Sequence, residues 1–233
     1  MRVLVTRPLD DAREIQLLLA QRGHQAVVAP LLRVEFRRGP DIELTGVQAI
    51  LATSANGVRA LARRTGRRDV PVFAVGPQTA GAAQALGFDK VRSADGDAAA
   101  LAQAVPRWTE AKAGALLHAA GADTAGKLAE VLTSAGFEIR SEILYDVVIV
   151  GKLPAQAIDE IVANRIDAVL LFSPRSARAF VQCLDAAGLA RHASQMIGAC
   201  ISRTTAAALA PLALKEIRIA AHPDQAALLN CLD

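Results

Sequence analysis

Five short segments of this chain combine hydroxyl side chains with amide or guanidinium groups. They are Thr6-Arg7, Thr53-Ser54-Ala55-Asn56, Gly76-Pro77-Gln78-Thr79, Ser173-Pro174-Arg175-Ser176 and Ser202-Arg203-Thr204-Thr205. An apolar run stands before each and a helix-like stretch follows. Backbone N–H groups at a helix start have no partner within the helix and bind anions, and Ser or Thr hydroxyls add donors. The chemistry of such turns is recognition of an anionic ligand by neutral donors. Ser, Thr and Asn also cap helices, so any single hydroxyl has two readings. Repetition at five turns, with Arg7, Asn56 and Arg175 among them, favours the ligand.

Other chemistries leave no pattern. There is no GxGxxG after Val5 for a dinucleotide and no GxxxxGK[ST] for a nucleotide phosphate. No GxSxG nucleophile elbow occurs. His24, His118, His192 and His222 have no metal-ligand spacing. His118 is read as ending a strand, where it faces a ligand or serves the structure. Asp10 with Asp11 reads as a helix start rather than a carboxylate pair. Arg63-Arg64 and Arg67-Arg68 read as a solvated helix end. Gly121 lies at a strand end and permits close backbone approach. Tyr145 is the single tyrosine; it is either a ladder-packing residue or a functional phenol. Cys183, Cys200 and Cys231 are far apart and form no CxxC, which excludes a disulfide framework and a cysteine zinc site. No metal site is expected.

The elements that must hold these turns follow one grammar. Val3–Val5, Val27–Val28, Ala49–Leu51, Val72–Val75, Ala168–Phe172 and Ile197–Ile201 are short apolar runs, and helical patterns lie between them. Short buried strands alternating with helices specify a parallel sheet covered on both faces. Hydrophobic residues make up 52% of the 233 residues and charged ones 21%, enough for a core and too apolar for a disordered chain. The net charge of +3 and an aromatic content of 3% argue against a dedicated nucleic-acid binder. No run approaches the roughly 18 apolar residues of a membrane span. The apolar start is too short for a signal peptide, so a cytoplasmic location is expected.

The chain also repeats itself. Residues 2–34 align without a gap to 115–147, placing Leu4 on Leu117, Asp10 on Asp123, Ala12 on Ala125 and Gly23 on Gly136. LATSANGVRAL at 51–61 then matches LFSPRSARAF at 171–180. Gly76–Ala80 matches Ser202–Ala206, and Gly96–Leu101 matches Pro223–Leu228. Four units in order, occurring twice, specify two related α/β lobes, each a doubly wound parallel sheet. Leu31–Arg38 and Leu144–Val150 are extended and stand outside this grammar. They read as two linkers, able to pair with each other and to act as a hinge. The repeat alone permits a simple division of the chain near Ala113 or an interleaved one.

VLVTRP at 3–8, TSANGV at 53–58, VGPQTA at 75–80, the Gly121, Leu128, Gly136 and Tyr145 string, FSPRSA at 172–177 and ISRTTAAAL at 201–209 together resemble the uroporphyrinogen-III synthase family. The resemblance covers nearly the whole chain. It implies two flavodoxin-like α/β lobes joined by a two-stranded linker. By resemblance, lobe one is 1–33 plus 150–233, lobe two is 38–144, and the linkers are 31–38 and 144–150.

The implied reaction closes the linear tetrapyrrole hydroxymethylbilane to uroporphyrinogen III, with loss of water and inversion of the last pyrrole ring. The task is to assist departure of the hydroxyl and hold the chain, with no cofactor. The resemblance makes Tyr145 the residue that helps the hydroxyl leave. It makes Thr53, Ser54, Asn56, Thr79, Ser173, Ser176, Thr204 and Thr205 substrate-binding residues in a cleft between the lobes, and Thr6, Arg7 and Gly121, read from the strand ends themselves, join that set. The implied partner is the bilane, with handover from the deaminase that makes it; a monomer is expected, without nucleic acid or membrane. This chain departs from the family where Ser202-Arg203 replace a frequent Gly-Pro, and where alanines near Ala120 replace a frequent arginine. A non-catalytic bilobed binding or sensor protein for an anionic small molecule, or an inactive relative, are the competing expectations.

Overall fold

A computed structural model of the chain describes residues 1–123 and 126–233. Ala125, the repeat partner of Ala12, lies outside the described residues, as does the side chain of Asp10. The elements run β1 (Arg2–Val5), α1 (Leu9–Gln21), β2 (Gln25–Val28), β3 (Leu32–Phe36), β4 (Val47–Ala52), α2 (Ala55–Ala62), β5 (Val72–Ala74), α3 (Pro77–Ala85), β6 (Val91–Ser93) and α4 (Ala98–Trp108). They continue with β7 (Ala115–Gly121), α5 (Gly126–Ser134), β8 (Ile139–Ile149), α6 (Ala155–Val162), β9 (Ala168–Leu171), α7 (Pro174–Ala186), β10 (Ile197–Cys200), α8 (Arg203–Ala207), β11 (Glu216–Ile219) and α9 (Gln225–Leu229).

Two compact units result: Met1–Arg33 with Val148–Asp233, and Val34–Val147. In the first, a parallel sheet has the order β11-β10-β9-β1-β2. Counted along that unit's own chain, this is the flavodoxin-like order 2-1-3-4-5, with its switch point between β1 and β9. β1 shows why the sheet needs helices on both faces. Leu4 packs with Val169, Leu171 and Phe180 on one side. Val3 and Val5 pack with Ile15, Leu19 and Leu228 on the other. Alternate residues of a strand point to opposite faces, so a strand apolar throughout has two faces to bury.

The second unit has the sheet order β3-β8-β7-β4-β5-β6. From β8 to β6 the pairs are parallel. The order is again 2-1-3-4-5 once counting starts at β7. The βαβ repeat that opens the first unit closes the second, so the switch point falls between β7 and β4. Ile50, Leu117, Val58 and Leu61 fill one face, and Leu51, Leu116, Leu101 and Leu128 the other.

The chain crosses from one unit to the other within β3 and returns within β8. Arg37 donates its N–H to the Leu144 carbonyl at 2.8 Å, and Val150 donates to Leu31 at 2.9 Å. The partners advance in opposite directions along the chain, so the two strands are antiparallel. Leu144–Val150 is continuous with the C-terminal part of β8, which starts at Ile139 and pairs with β7 from Leu116 onward. α1 starts at Leu9, with Pro8 as the residue before its first turn and Asp10 and Asp11 within that turn. Asp11 accepts from Arg7 Nη2 at 2.6 Å. The Arg7 guanidinium, four residues before Asp11, gives that carboxylate a charged partner.

Candidate functional site

The switch point of the second unit brings together Thr53, Ser54, Asn56 and Tyr145 from the residues proposed from the sequence. Parallel strands end there in opposite crossover senses, which leaves a crevice outside their carboxyl ends. β7 outruns β4, so the turn after β4 lies beside the body of β7. That turn is Thr53-Ser54.

Tyr145 reaches this turn by a register shift. Ala120 pairs with Ile143, but Gly121 pairs with Tyr145, so Leu144 is an extra residue on β8. A bulge of this kind re-aims the side chain that follows it. The tyrosine is 4% exposed and its ring lies over Gly121. A Cβ on Gly121 would stand 2.6 Å from the ring Cζ and 2.9 Å from the phenol oxygen. Gly121 therefore serves by having no side chain: it is the seat of the ring. On either side of Tyr145, β3 secures β8. Arg37 binds Leu144 through its N–H and Asp146 through two guanidinium bonds of 2.7 and 2.8 Å. That pairing holds the Asp146 carboxyl below its ordinary range.

The Tyr145 phenol oxygen lies 2.7 Å from Ser54 Oγ. Ser54 is the N-cap of α2 and accepts the Gly57 N–H at 3.1 Å. With that N–H donated to it, the Ser54 hydroxyl is able to turn its own proton to the phenol oxygen, which leaves the phenol proton for a ligand. Gly57 is a residue sequence reading passed over. A Cβ at this position would stand 2.4 Å from the Ala119 carbonyl oxygen, so α2 lies directly on β7. The signal was a glycine inside a short helix, which weakens the helix and usually has a packing reason.

Thr53 Oγ1 is 3.4 Å from Nε2 of His118. The expectation that His118 ends its strand is corrected: β7 continues to Gly121, and His118 is fully buried. Burial alone pushes its imidazole below the ordinary range, which keeps it neutral. Asn56 is half-buried and accepts from Arg59 at 2.8 Å through Oδ1, so its amide protons are not used in that bond. Thr79 is buried in the first turn of α3, after Gly76 and Pro77.

The hydroxyls of the first unit are arranged differently. Ser173 and Ser176 form a reciprocal capping box at the start of α7, and Ser176 also donates to the Ser173 carbonyl at 2.8 Å. Thr6 is buried and donates to the Leu170 carbonyl at 2.8 Å, across the β1/β9 switch point. Thr205 is fully buried, with Oγ1 3.0 Å from Ser202 Oγ, while Thr204 is exposed. Arg7 is held by Asp11, and its guanidinium lies 4.9 Å from the centre of the Phe172 ring. Most side-chain donors of this unit thus serve its own helix starts and sheet. Thr204, whose Oγ1 lies 2.9 Å from Ser202 Oγ, is more exposed than Thr205.

Among the described residues no cluster of three or more His, Cys, Asp or Glu could hold a metal. No helix among them is long and apolar enough to cross a membrane. Burial pushes the Cys200 thiol up to about 12, which makes it inert as a nucleophile.

Comparison with known proteins follows this geometry. A family model described as uroporphyrinogen-III synthase HemD matches residues 13–230. No curated protein matches the chain by sequence. Among solved structures, the chain is similar to uroporphyrinogen-III synthetase from Helicobacter pylori 26695, with a TM-score of 0.64 and 17% identity over 100% of this chain and 98% of the other. Uroporphyrinogen III synthase from the extremely thermophilic bacterium Thermus thermophilus, as a triple mutant, aligns at a TM-score of 0.49 and 16% identity, over 100% of this chain and 97% of the other. The fold comparison rests on the first of these two.

Proposed function

The chain belongs to the uroporphyrinogen-III synthase family, and we propose that its reaction is organised around Tyr145 at the β7/β4 switch point. The activity is cyclisation of hydroxymethylbilane to uroporphyrinogen III, with loss of water and inversion of the last pyrrole ring. The match over residues 13–230 carries the activity. The 2.7 Å contact between Tyr145 and Ser54 carries the site.

The step that needs an acid is departure of the terminal hydroxyl. The phenol proton goes to that hydroxyl, the C–O bond breaks, and water leaves. Ser54, itself receiving the Gly57 N–H, donates to the phenolate that remains. The phenolate takes a proton back from the pyrrole carbon that forms the closing bond, so the site ends as it began. Positioned acids of this kind contribute typically 10²–10⁴-fold.

Ring inversion requires the first bond to form at the substituted end of the last pyrrole, giving a spiro intermediate. The bond from that carbon to its neighbouring methylene then breaks, and the methylene rejoins the ring at its free carbon, which loses the proton. The protein's part is to hold the bilane in the shape that favours this route. Its carboxylates are met by neutral donors of the second unit, Thr53, Asn56 and Thr79. Thr6 and Arg7 act through the backbone they hold. Thr6 ties β1 to β9, and Arg7 is neutralised by Asp11. The mechanism requires no metal. We assign the protein to the cytoplasm, as a monomer that receives the bilane from its deaminase.

The test is turnover by the Tyr145→Phe variant. A folded variant with a large fall in kcat and an unchanged isomer ratio supports Tyr145 as the acid. Full turnover by that variant removes Tyr145 from the role.

A further inference from the structure

His118 takes no part in the reading above, yet it is the polar residue most completely enclosed beside the site. It stands mid-strand in β7, fully buried, between Leu117 and Ala119. Its Nδ1 is buried without a hydrogen-bond partner. Its Nε2 has one, Thr53 Oγ1 at 3.4 Å. Thr53 is half-buried at the head of the turn whose next residue, Ser54, binds the Tyr145 phenol. An apolar residue of similar size would fill this place without an orphaned nitrogen, so the imidazole is retained at a cost of stability.

A neutral imidazole has one donor nitrogen and one acceptor. If Nδ1 carried the proton, a buried N–H would be left without an acceptor. If Nε2 carries it, the orphan is an acceptor, which is the cheaper one to leave unpaired. The Nε2–H then donates to Thr53 Oγ1. A hydroxyl whose oxygen is already accepting is able to donate its proton elsewhere. Ser54 is in the same condition one residue on, since it accepts the Gly57 N–H.

We propose that His118 is a positioning residue that, as the neutral Nε2–H tautomer, turns the Thr53 hydroxyl into a proton donor for a carboxylate of the substrate. The recognised chemistry is an anionic oxygen beside the phenol of Tyr145. The proposal rests on the reading of this switch point as the substrate site. In the free protein the contact is long; catalytic hydrogen bonds often tighten only when the ligand is bound.

The first arm of the test does not depend on activity. In the ¹⁵N-labelled protein, the ring signals of His118 are identified by their loss in His118→Gln. Protonated Nε2 and bare Nδ1 throughout the folded range are expected. The opposite tautomer, or an imidazolium at neutral pH, overturns the proposal.

The second arm is kinetic, with hydroxymethylbilane as the probe. Thr53→Val is expected to raise KM by about tenfold, the worth of one hydrogen bond to a charged group, with kcat changed less. His118→Leu is expected to do the same. His118→Gln, which keeps an N–H near the position of Nε2, is expected to restore most of the loss. The double variant of Thr53→Val and His118→Leu should be no worse than the poorer single one. Additive losses, or a fall in kcat alone, overturn the proposal. If His118→Leu fails to fold, the comparison of Thr53→Val in the native and His118→Gln backgrounds takes its place. A wild-type protein that makes no type III isomer defeats the functional reading, whereas the tautomer measurement still decides the geometry.

Discussion

Tyr145 and Gly121 are one device. The ring lies where any Cβ on Gly121 would fall, so the glycine keeps the tyrosine and the tyrosine explains the glycine. Tyr145→Phe removes one oxygen and leaves the seat. We expect kcat to fall by roughly 10²–10⁴ with the melting temperature nearly unchanged. Gly121→Ala leaves the oxygen and removes the seat. We expect a comparable loss of kcat, and a Gly121→Ala, Tyr145→Phe double variant no slower than Tyr145→Phe alone. A further tenfold loss in the double variant would mean that Gly121 acts on something besides the phenol. Thr205 belongs to this scale as a contrast. Its side chain is fully buried against Ser202, so Thr205→Ala should lower stability by about 1 kcal/mol and change KM little. Thermal unfolding and steady-state kinetics separate the two effects. Residue type showed which hydroxyls had candidate roles. It did not show which were enclosed, because Thr204 and Thr205 are chemically identical and differ only by which side of α8 they occupy.

At the scale of elements, α2 is the piece that aims the site. Ser54 caps it, Gly57 lets it lie on β7, and the cap hydroxyl meets the phenol. Gly57→Ala would press a methyl into the Ala119 carbonyl and move α2. We expect a loss of about 1–3 kcal/mol in stability, together with a drop in kcat from the displaced Ser54. Chemical denaturation checks the first and turnover the second. A variant of native stability and rate would show that α2 has room to shift. The strand–helix alternation was legible because each strand is a short apolar run closed by hydroxyl or glycine residues. β8 was not. Its first half alternates charged and apolar residues and looks like surface chain, whereas β7 supplies the hydrogen bonds that make it a strand.

At the scale of the molecule, the internal repeat is the informative feature. One βαβ-based plan is used twice, and both sheets have the same strand order although one begins its chain in the middle. The pairing of β1 with β9, and of β4 with β7, joins segments far apart in sequence. Local pattern carries no record of such pairings. Stability has a whole-molecule dependence on pH that one buried group contributes. His118 is held neutral when folded, with its imidazole below the ordinary value of 6.5, and regains that value when unfolded. Between those values the unfolded chain binds a proton that the folded one does not, so stability falls as pH falls below about 6.5. Relative to His118→Gln, the native protein should lose up to about 1.4 kcal/mol per pH unit in that window. Parallel stability curves for the two proteins would contradict this.

The central claim is that this chain steers a bilane to the inverted ring. The direct measurement is the isomer composition of product when the purified protein is added to porphobilinogen with the deaminase that makes the bilane, and the oxidised porphyrins are separated. The account predicts mostly type III isomer without added metal or cofactor, and a much slower approach to that product with Tyr145→Phe. Type I isomer alone, from folded protein, would contradict it.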